Sequence, residues 1–282
     1  MSQTDPSNQA IRTYSSFWRD PSLPFIESRS VSDGRHVCYA RHSHETFSIG
    51  LIDTGASTYI NGLSQCRIEA GAIVLMNPGD VHACNPIRNQ PWAYRMLYID
   101  ADWLSKLQDD LGLGGLGYRR FTPILTHDAQ LRAGFRCLHA RLIDNDIEPL
   151  AKRNAALEFF SDLHDRLGLE MIALVSESRL QRAAEFISDN YRRSIKLDEI
   201  SEAAGISPSS LIRSFKKHFG MTPHAYLTNR RVQFARAELR LGRPIADVAL
   251  AAGFADQAHL QRAFKQLLAA TPGHYRNVRG WR

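Results

Sequence analysis

Apolar residues in the last hundred positions fall three or four apart, and the same arrangement occurs twice. In the first copy Leu197, Ile200, Ala203 and Ala204 have the spacing of one buried helical face. Gly205 follows, and glycine takes the left-handed conformation at a helix end without steric cost. Ser207-Pro208 then opens a second helix, with the serine oxygen placed to cap free N–H groups and proline suited to the first helical position. Leu211, Phe215 and Phe219 recur every four residues and predict a buried stripe. At ~100° per residue Arg213 projects roughly 200° from Leu211, beside Ser209 and Lys216, so the opposite face is polar and basic.

The second copy repeats the logic. Ile245 to Ala252 is its first helix, Gly253 its turn and Asp256 its N-cap. Leu260 and Phe264 form the stripe, while His259, Arg262, Lys265 and Gln266 face away. Thr-Pro-x-x-Tyr closes both copies, at Thr222 and at Thr271. Between them Pro223 to Leu241 reads as one long helix capped by Thr222 and ended by Gly242, able to hold the two units in a fixed relation. Tandem helix-turn-helix units with matched basic faces predict contact with double-stranded DNA, the two second helices entering major grooves about one turn, ~34 Å, apart.

The front half has a different texture. Phe47 to Ile52, Ser57 to Ile60, Ala72 to Met76 and Tyr94 to Ile99 are short β-rich runs. Turn signals at Asp53-Thr-Gly55, Asn61-Gly62 and Asn77-Pro-Gly79 separate them, which suggests a sandwich or barrel. Farther on, Leu131, Phe135, Leu138 and Leu142 share one helical face, as do Leu157, Phe160, Leu163 and Leu167. These two helices are expected to cover the barrel. The Leu111 to Gly117 stretch reads as a flexible connector, and its glycines are a weak phosphate signal with no strand before them or helix after.

Charge sharpens the division. The chain has 35 Lys+Arg and 29 Asp+Glu; 18 and 9 of these lie from Ser176 onwards, leaving 17 and 20 before it. All of the basic excess thus accompanies the repeat, the electrostatic footprint of phosphate contact. Cys38, Cys66, Cys84 and Cys137 are scattered, without a CxxC pair, so neither a zinc finger nor a disulfide framework is indicated. A polar N-terminus and no apolar run near ~20 residues predict a cytoplasmic protein without membrane contact.

The segment from about Arg179 to Tyr275 resembles the DNA-binding domain of the AraC/XylS transcription regulators. Leu197 to Gly205, Ser207 to Lys217, Gly253 to Lys265 and the closing Thr271-Pro272-Gly-His-Tyr275 carry that resemblance. It implies base and phosphate contacts from Ser209, Ser210, Arg213 and Lys216 in the first module, and from Gln257, His259, Arg262 and Lys265 in the second. RNA polymerase is a partner implied in the same way, as is a homodimer formed through the two helices that follow the β-rich part. The chain departs from the family pattern at Ala258, at Leu260 and at Ala270, which stands where glycine usually precedes the Thr-Pro pair.

His42-Ser-His44, Gly55 and Ala70 to His82 follow the order of the cupin-type sensor domain that many AraC relatives carry. The expected fold is therefore α+β and multidomain: an N-terminal cupin-like β-barrel with flanking helices, then an all-α domain with two helix-turn-helix motifs joined by a long helix. The expected divisions are an arm over 1–24, the barrel over 25–122, a helical and dimerising region over 123–175, and the DNA-binding domain over 176–282, with motifs at about 197–217 and 245–266. A pocket for an unidentified small-molecule effector is expected in the barrel, lined from among His42, His44, His82, Trp92, Tyr94 and Arg95. Neighbours on a strand, Tyr94 and Arg95 do not both point inward.

Those three histidines have the makings of the metal site of a cupin enzyme. The enzyme pattern also places a glutamate a few residues past the second histidine, whereas Glu45 adjoins His44 and should face the other way. The expectation is accordingly a pocket lining, with no cofactor and no catalysis. Two other readings stand beside the regulator: a metal-dependent cupin enzyme fused to a helical domain, and a helical interaction module that does not touch DNA.

Overall fold

The computed structural model describes residues 15–88, 90–113, 117–170 and 179–277. Most of the expected arm, the centre of the glycine-rich connector and the end of the helical region lie outside the described residues.

Among the described residues eight strands build the front half: β1 (Ser15–Trp18), β2 (Ile26–Val31), β3 (Phe47–Asn61), β4 (Ser64–Glu69), β5 (Ile73–Met76), β6 (His82–Pro86), β7 (Trp92–Ile99) and, after helix α1 (Ala101–Asp110), β8 (Leu125–Thr126). They pair in the order β1-β2-β7-β3-β5-β8, with β4 and β6 also on β3 and every pairing antiparallel. The expected break at Asp53-Thr-Gly55 is not a turn. β3 runs straight through it as a single strand of 15 residues, bulged between Ile52 and Thr54, and so passes from one sheet into the other. Gly55 is required there: its φ is +73°, and a Cβ would lie 2.1 Å from the Pro91 carbonyl oxygen. The other two turn signals hold, with Gly62 and Gly79 both at positive φ.

Strand alternation sorts two cores. Phe47, Ile49, Leu51, Leu97 and Ile99 face outward and pack against α1, α2 (Ala129–Ile143) and α3 (Pro149–Arg166), which contribute Leu104, Phe135, Leu138, Phe159, Phe160 and Leu163. Ile52, Val74, Met76, Trp92, Tyr94 and Met96 face the barrel interior.

Seven helices follow among the described residues: α4 (Arg179–Asn190), α5 (Leu197–Ala204), α6 (Pro208–Phe219), α7 (Pro223–Arg240), α8 (Ile245–Ala251), α9 (Gln257–Leu268) and α10 (Pro272–Arg276). Leu211 and Phe215 are fully buried in the first module, Leu260 and Phe264 in the second. Each such side chain contributes about 2–3 kcal/mol of burial. Phe219, expected on the buried stripe, is only half-buried. Thr222 and Asp256 cap as expected, through the N–H groups of Ala225 (3.2 Å) and His259 (2.6 Å). Ser207 occupies the N-cap position of α6 but makes no side-chain cap bond. The residue in the left-handed position after α9 is Ala269, at φ +48°, matching Gly220 after α6. Ala270, the position singled out in the sequence, is instead buried in the core.

The halves are in direct contact. Phe17 of β1, within the segment read as an arm, enters the core of the second helix-turn-helix module and stands edge-on to Tyr275 at 5.3 Å.

Candidate nucleic-acid interface and effector cavity

Because Leu211 and Phe215 fix one side of α6 inward, Ser209, Arg213 and Lys216 are exposed and Ser210 is half-buried. On α9 Gln257, Arg262 and Lys265 are likewise exposed, while Ala258 adds a small exposed side chain. His259 is half-buried, its ring edge-on to Phe254 at 5.1 Å, so it serves packing as well as the surface. Arg193 and Arg243 pair with Glu199 and Glu238, whereas Arg213, Lys216, Arg262 and Lys265 enter no ion pair among the described residues. Uncommitted cations on an outward helix face can reach phosphates and base edges.

The modules are held to each other through α7. Its Arg231 donates to the carbonyl oxygens of Tyr191 (2.7 Å) and Arg193 (2.9 Å), in the loop between α4 and α5. The Gly253 turn packs on the same loop, where a Cβ would sit 2.5 Å from the Arg192 oxygen.

Barrel and second module are joined by a buried ionic cluster that the sequence patterns did not expose. Glu27 of β2 is 1% exposed and accepts from Arg19 (2.7 Å), from Arg236 of α7 (3.2 Å) and from the Tyr275 hydroxyl (3.0 Å). Burial pushes its carboxyl pKa up, but Arg236 and Arg19 outweigh that and hold it below the ordinary value. Arg29, on the same strand, donates to the carbonyl oxygens of Leu268 (2.6 Å) and Ala269 (3.4 Å), capping the C-terminal end of α9 with a cation. The available sequence signal was weak: an arginine on the inward face of the long helix and a Glu-x-Arg pair between Ile26 and Val31.

A second contact holds the His42–Glu45 segment. Asn229 of α7 accepts from the Ser43 N–H (3.4 Å) and donates to its carbonyl and hydroxyl oxygens (3.0 Å each). Gln233 donates to the same carbonyl at 2.9 Å, and Arg230 pairs with Glu45. Glu45 does turn away from the histidines, as the sequence implied.

His42, His44 and His82 converge although His42 and His44 lie on irregular chain rather than a regular strand. Ring centroids are 4.4 Å apart for His42 and His82, and 4.7 Å for His44 and His82. Burial first, then mutual charge, lowers the pKa of His42 and His44 well below the usual value; burial lowers that of His82. All three rings are therefore neutral near pH 7. Beside them lies a cavity of about 40 Å³, bounded by Tyr39, His42, His82, Trp92, Tyr94, Met96 and Tyr98 among others. Four expected lining residues are thus in place, and His44 stands just behind them. Arg95 is the correction: its guanidinium lies on Asp53, because alternation along β7 sends it to the opposite face from Tyr94. Cys84 shares the cavity wall, its thiol pushed up to about 12 by burial.

Basic helices on a platform joined to a pocketed sheet make the build of a DNA-binding regulator, and comparison with known proteins agrees. Residues 29–167 match the family model of an AraC-like ligand binding domain, and residues 200–277 that of a helix-turn-helix domain. An uncharacterized HTH-type transcriptional regulator of Bacillus subtilis, YbfI, is 30% identical across 79% of this chain and 81% of its own length. The HTH-type transcriptional activator RhaS of Yersinia pestis is 22% identical across 93% and 96%. The chain belongs to the AraC family of DNA-binding transcription regulators, with an N-terminal ligand-binding domain. Vibrio cholerae ToxT bound to an unsaturated fatty acid has the same two-domain fold, at a TM-score of 0.57 and 12% identity over 94% of this chain and 96% of that one. Among the described residues no helix is long and apolar enough to cross a membrane.

Proposed function

We propose that the protein reads a two-part promoter site, with α6 and α9 in successive major grooves, under the control of a small effector held in the barrel. The observation that carries this reading is the pair of outward basic faces on modules fixed to one helix, α7. Arg213 and Arg262 supply base contacts, since a guanidinium can bond guanine in bidentate fashion. Lys216 and Lys265 supply phosphate contacts, and Ser209, Ser210, Gln257 and His259 complete the surface. The effector acts by favouring one arrangement of barrel and second module over another, through Glu27, Arg29 and Ser43. As it stands, a cavity of about 40 Å³ takes only a few atoms, so a larger effector must widen it. Pairing through the α2 and α3 region would place four recognition helices on paired half-sites, and RNA polymerase is the downstream partner. Catalysis has no part in this reading: Glu45, the carboxylate next to the histidine pair, is turned to Arg230.

The test is selection of bound duplexes from a random pool, with wild type and an Arg213→Ala/Arg262→Ala double variant. A bipartite motif with sub-sites about one turn apart, lost in the variant, is expected. Folded wild type enriching no motif at low salt would overturn the reading.

A further inference from the structure

Three backbone carbonyls are aimed at three histidine rings. Ala40 O lies 2.9 Å from His42 Nδ1, Thr46 O 3.0 Å from His44 Nδ1, and Asp80 O 2.8 Å from His82 Nδ1. A carbonyl only accepts, so each Nδ1 carries the ring proton and each Nε2 keeps its lone pair, that of His44 beside the Ser48 hydroxyl at 3.3 Å. Metal-binding imidazoles are oriented in this manner, by a hydrogen bond on the nitrogen that does not ligate. A ligand nitrogen from each ring lies within 4.8 Å of the other two, and all three side chains are buried. Packing alone asks for no common tautomer on three converging rings. We propose that His42, His44 and His82 hold a divalent transition-metal ion of the zinc type, with its fourth coordination position open to the barrel cavity.

The donor set selects the ion. Imidazole suits zinc, copper and nickel, whereas magnesium and calcium need oxygen ligands. Zinc–nitrogen bonds of ~2.0–2.1 Å put tetrahedral ligand nitrogens ~3.4 Å apart, so the rings close inward by roughly 1 Å or less on loading. Three neutral imidazoles leave the ion's charge uncompensated, and Glu45 does not approach it. Arg236 acts on His42 and His44, and Arg29 on His42, with further positive charge. The open position therefore takes an anion, either hydroxide or a small carboxylate, which a cavity of about 40 Å³ can hold.

Loading is also felt outside the barrel. Ser43, between two of the ligands, is the residue clasped by Asn229 and Gln233 of α7. Closing the rings on an ion pulls on the helix that carries both modules. This consequence rests on the regulatory reading above; the site itself does not.

Full-length protein is loaded with zinc, freed of excess by gel filtration and assayed for metal by mass spectrometry. Wild type is compared with His42→Gln, His82→Gln and, as a control, the exposed His127→Gln. We expect about one zinc per chain in wild type and control, and less than a tenth of that in the other two. Cobalt in place of zinc should give a visible ligand-field spectrum, lost in the same two variants. Wild type without stoichiometric zinc, or folded variants that retain it, would overturn the site. If the variants do not fold, nitrogen resonances of the wild-type imidazoles decide: movement of three Nε2 signals on adding zinc supports the site, and no movement refutes it. Operator affinity is measured with and without zinc. Unchanged affinity with one zinc bound removes the coupling alone, and failure to bind DNA in both states counts against the regulatory reading instead.

Discussion

The two helix-turn-helix modules share a sequence pattern but not their surroundings. The first buries Ile187, Ile200, Leu211, Phe215 and Leu227 in a core drawn from its own helices and α7. The second includes Phe17 of the barrel in its core, receives Arg29 at the end of α9, and lends Arg236 and Tyr275 to Glu27. One module thus draws its core from its own helices and α7, and the other shares its core and a buried ionic joint with the sensor. The second module meets the barrel through buried polar contacts, while the first meets it at the Gly220 turn, beside Arg41 and Val81, and through α7. Internal duplication therefore gives the modules a common outward face, and the buried polar contacts give them different neighbours.

The largest expected effect comes from the joint itself. Glu27→Ala leaves Arg236 buried without its carboxylate, and removing one member of a buried pair costs about 3–5 kcal/mol. Thermal unfolding should show the loss, with the C-terminal helices of the second module opening first. Acid should cancel the advantage of wild type over Glu27→Gln only at low pH. The folded carboxyl pKa lies below 4.5, so the stabilisation is complete above about 4.5 and disappears as pH falls through the lower folded value. A difference that vanished already near pH 6 would contradict the ionised cluster.

Next in size is a contrast between equivalent glycines. Gly253→Ala puts a Cβ 2.5 Å from the Arg192 oxygen at a φ of +81°, whereas Gly205→Ala meets nothing within 4 Å at +64°. The first should cost about 3 kcal/mol or more and the second about 1 kcal/mol. Equal losses would mean that the turn of the second module does not set the spacing between the two.

Base reading should be narrower in the second module, where the exposed Ala258 offers no polar contact. Arg262→Ala is expected to cost about 1–3 kcal/mol at the cognate site and to relax preference at one base pair, while Lys216→Ala should weaken all sequences alike and lessen the salt dependence. Quantitative footprinting across salt concentrations separates the two. The smallest effect is a gain: Ala269→Gly relieves a left-handed alanine and should stabilise the second module by roughly 1 kcal/mol, visible as a raised unfolding midpoint.

The helices were legible because their information is local. Leu211 and Phe215, the left-handed Gly205 and the Asp256 cap each act within a few residues, so the pattern names them directly. The barrel was legible in its strand faces but not in its connections. Ile52 and Ser57 read as ends of separate strands, yet a bulge and one glycine let β3 continue between them. Arg95 was the wrong one of two neighbours, since alternation forbids both and does not say which faces in. The joint was invisible for a different reason: Glu27 and Tyr275 are 248 residues apart, and no periodicity links them. Likewise the three histidines were found by spacing, but the carbonyls that orient their rings belong to residues with no signature of their own.

Hydrogen exchange on the full-length chain, wild type against Glu27→Gln, tests the inequality of the modules most directly. Faster exchange in α9 and α10, with α5 and α6 unchanged, is the expected result. Equal change in both modules, or change in the first alone, would contradict the assignment of the second module to the sensor.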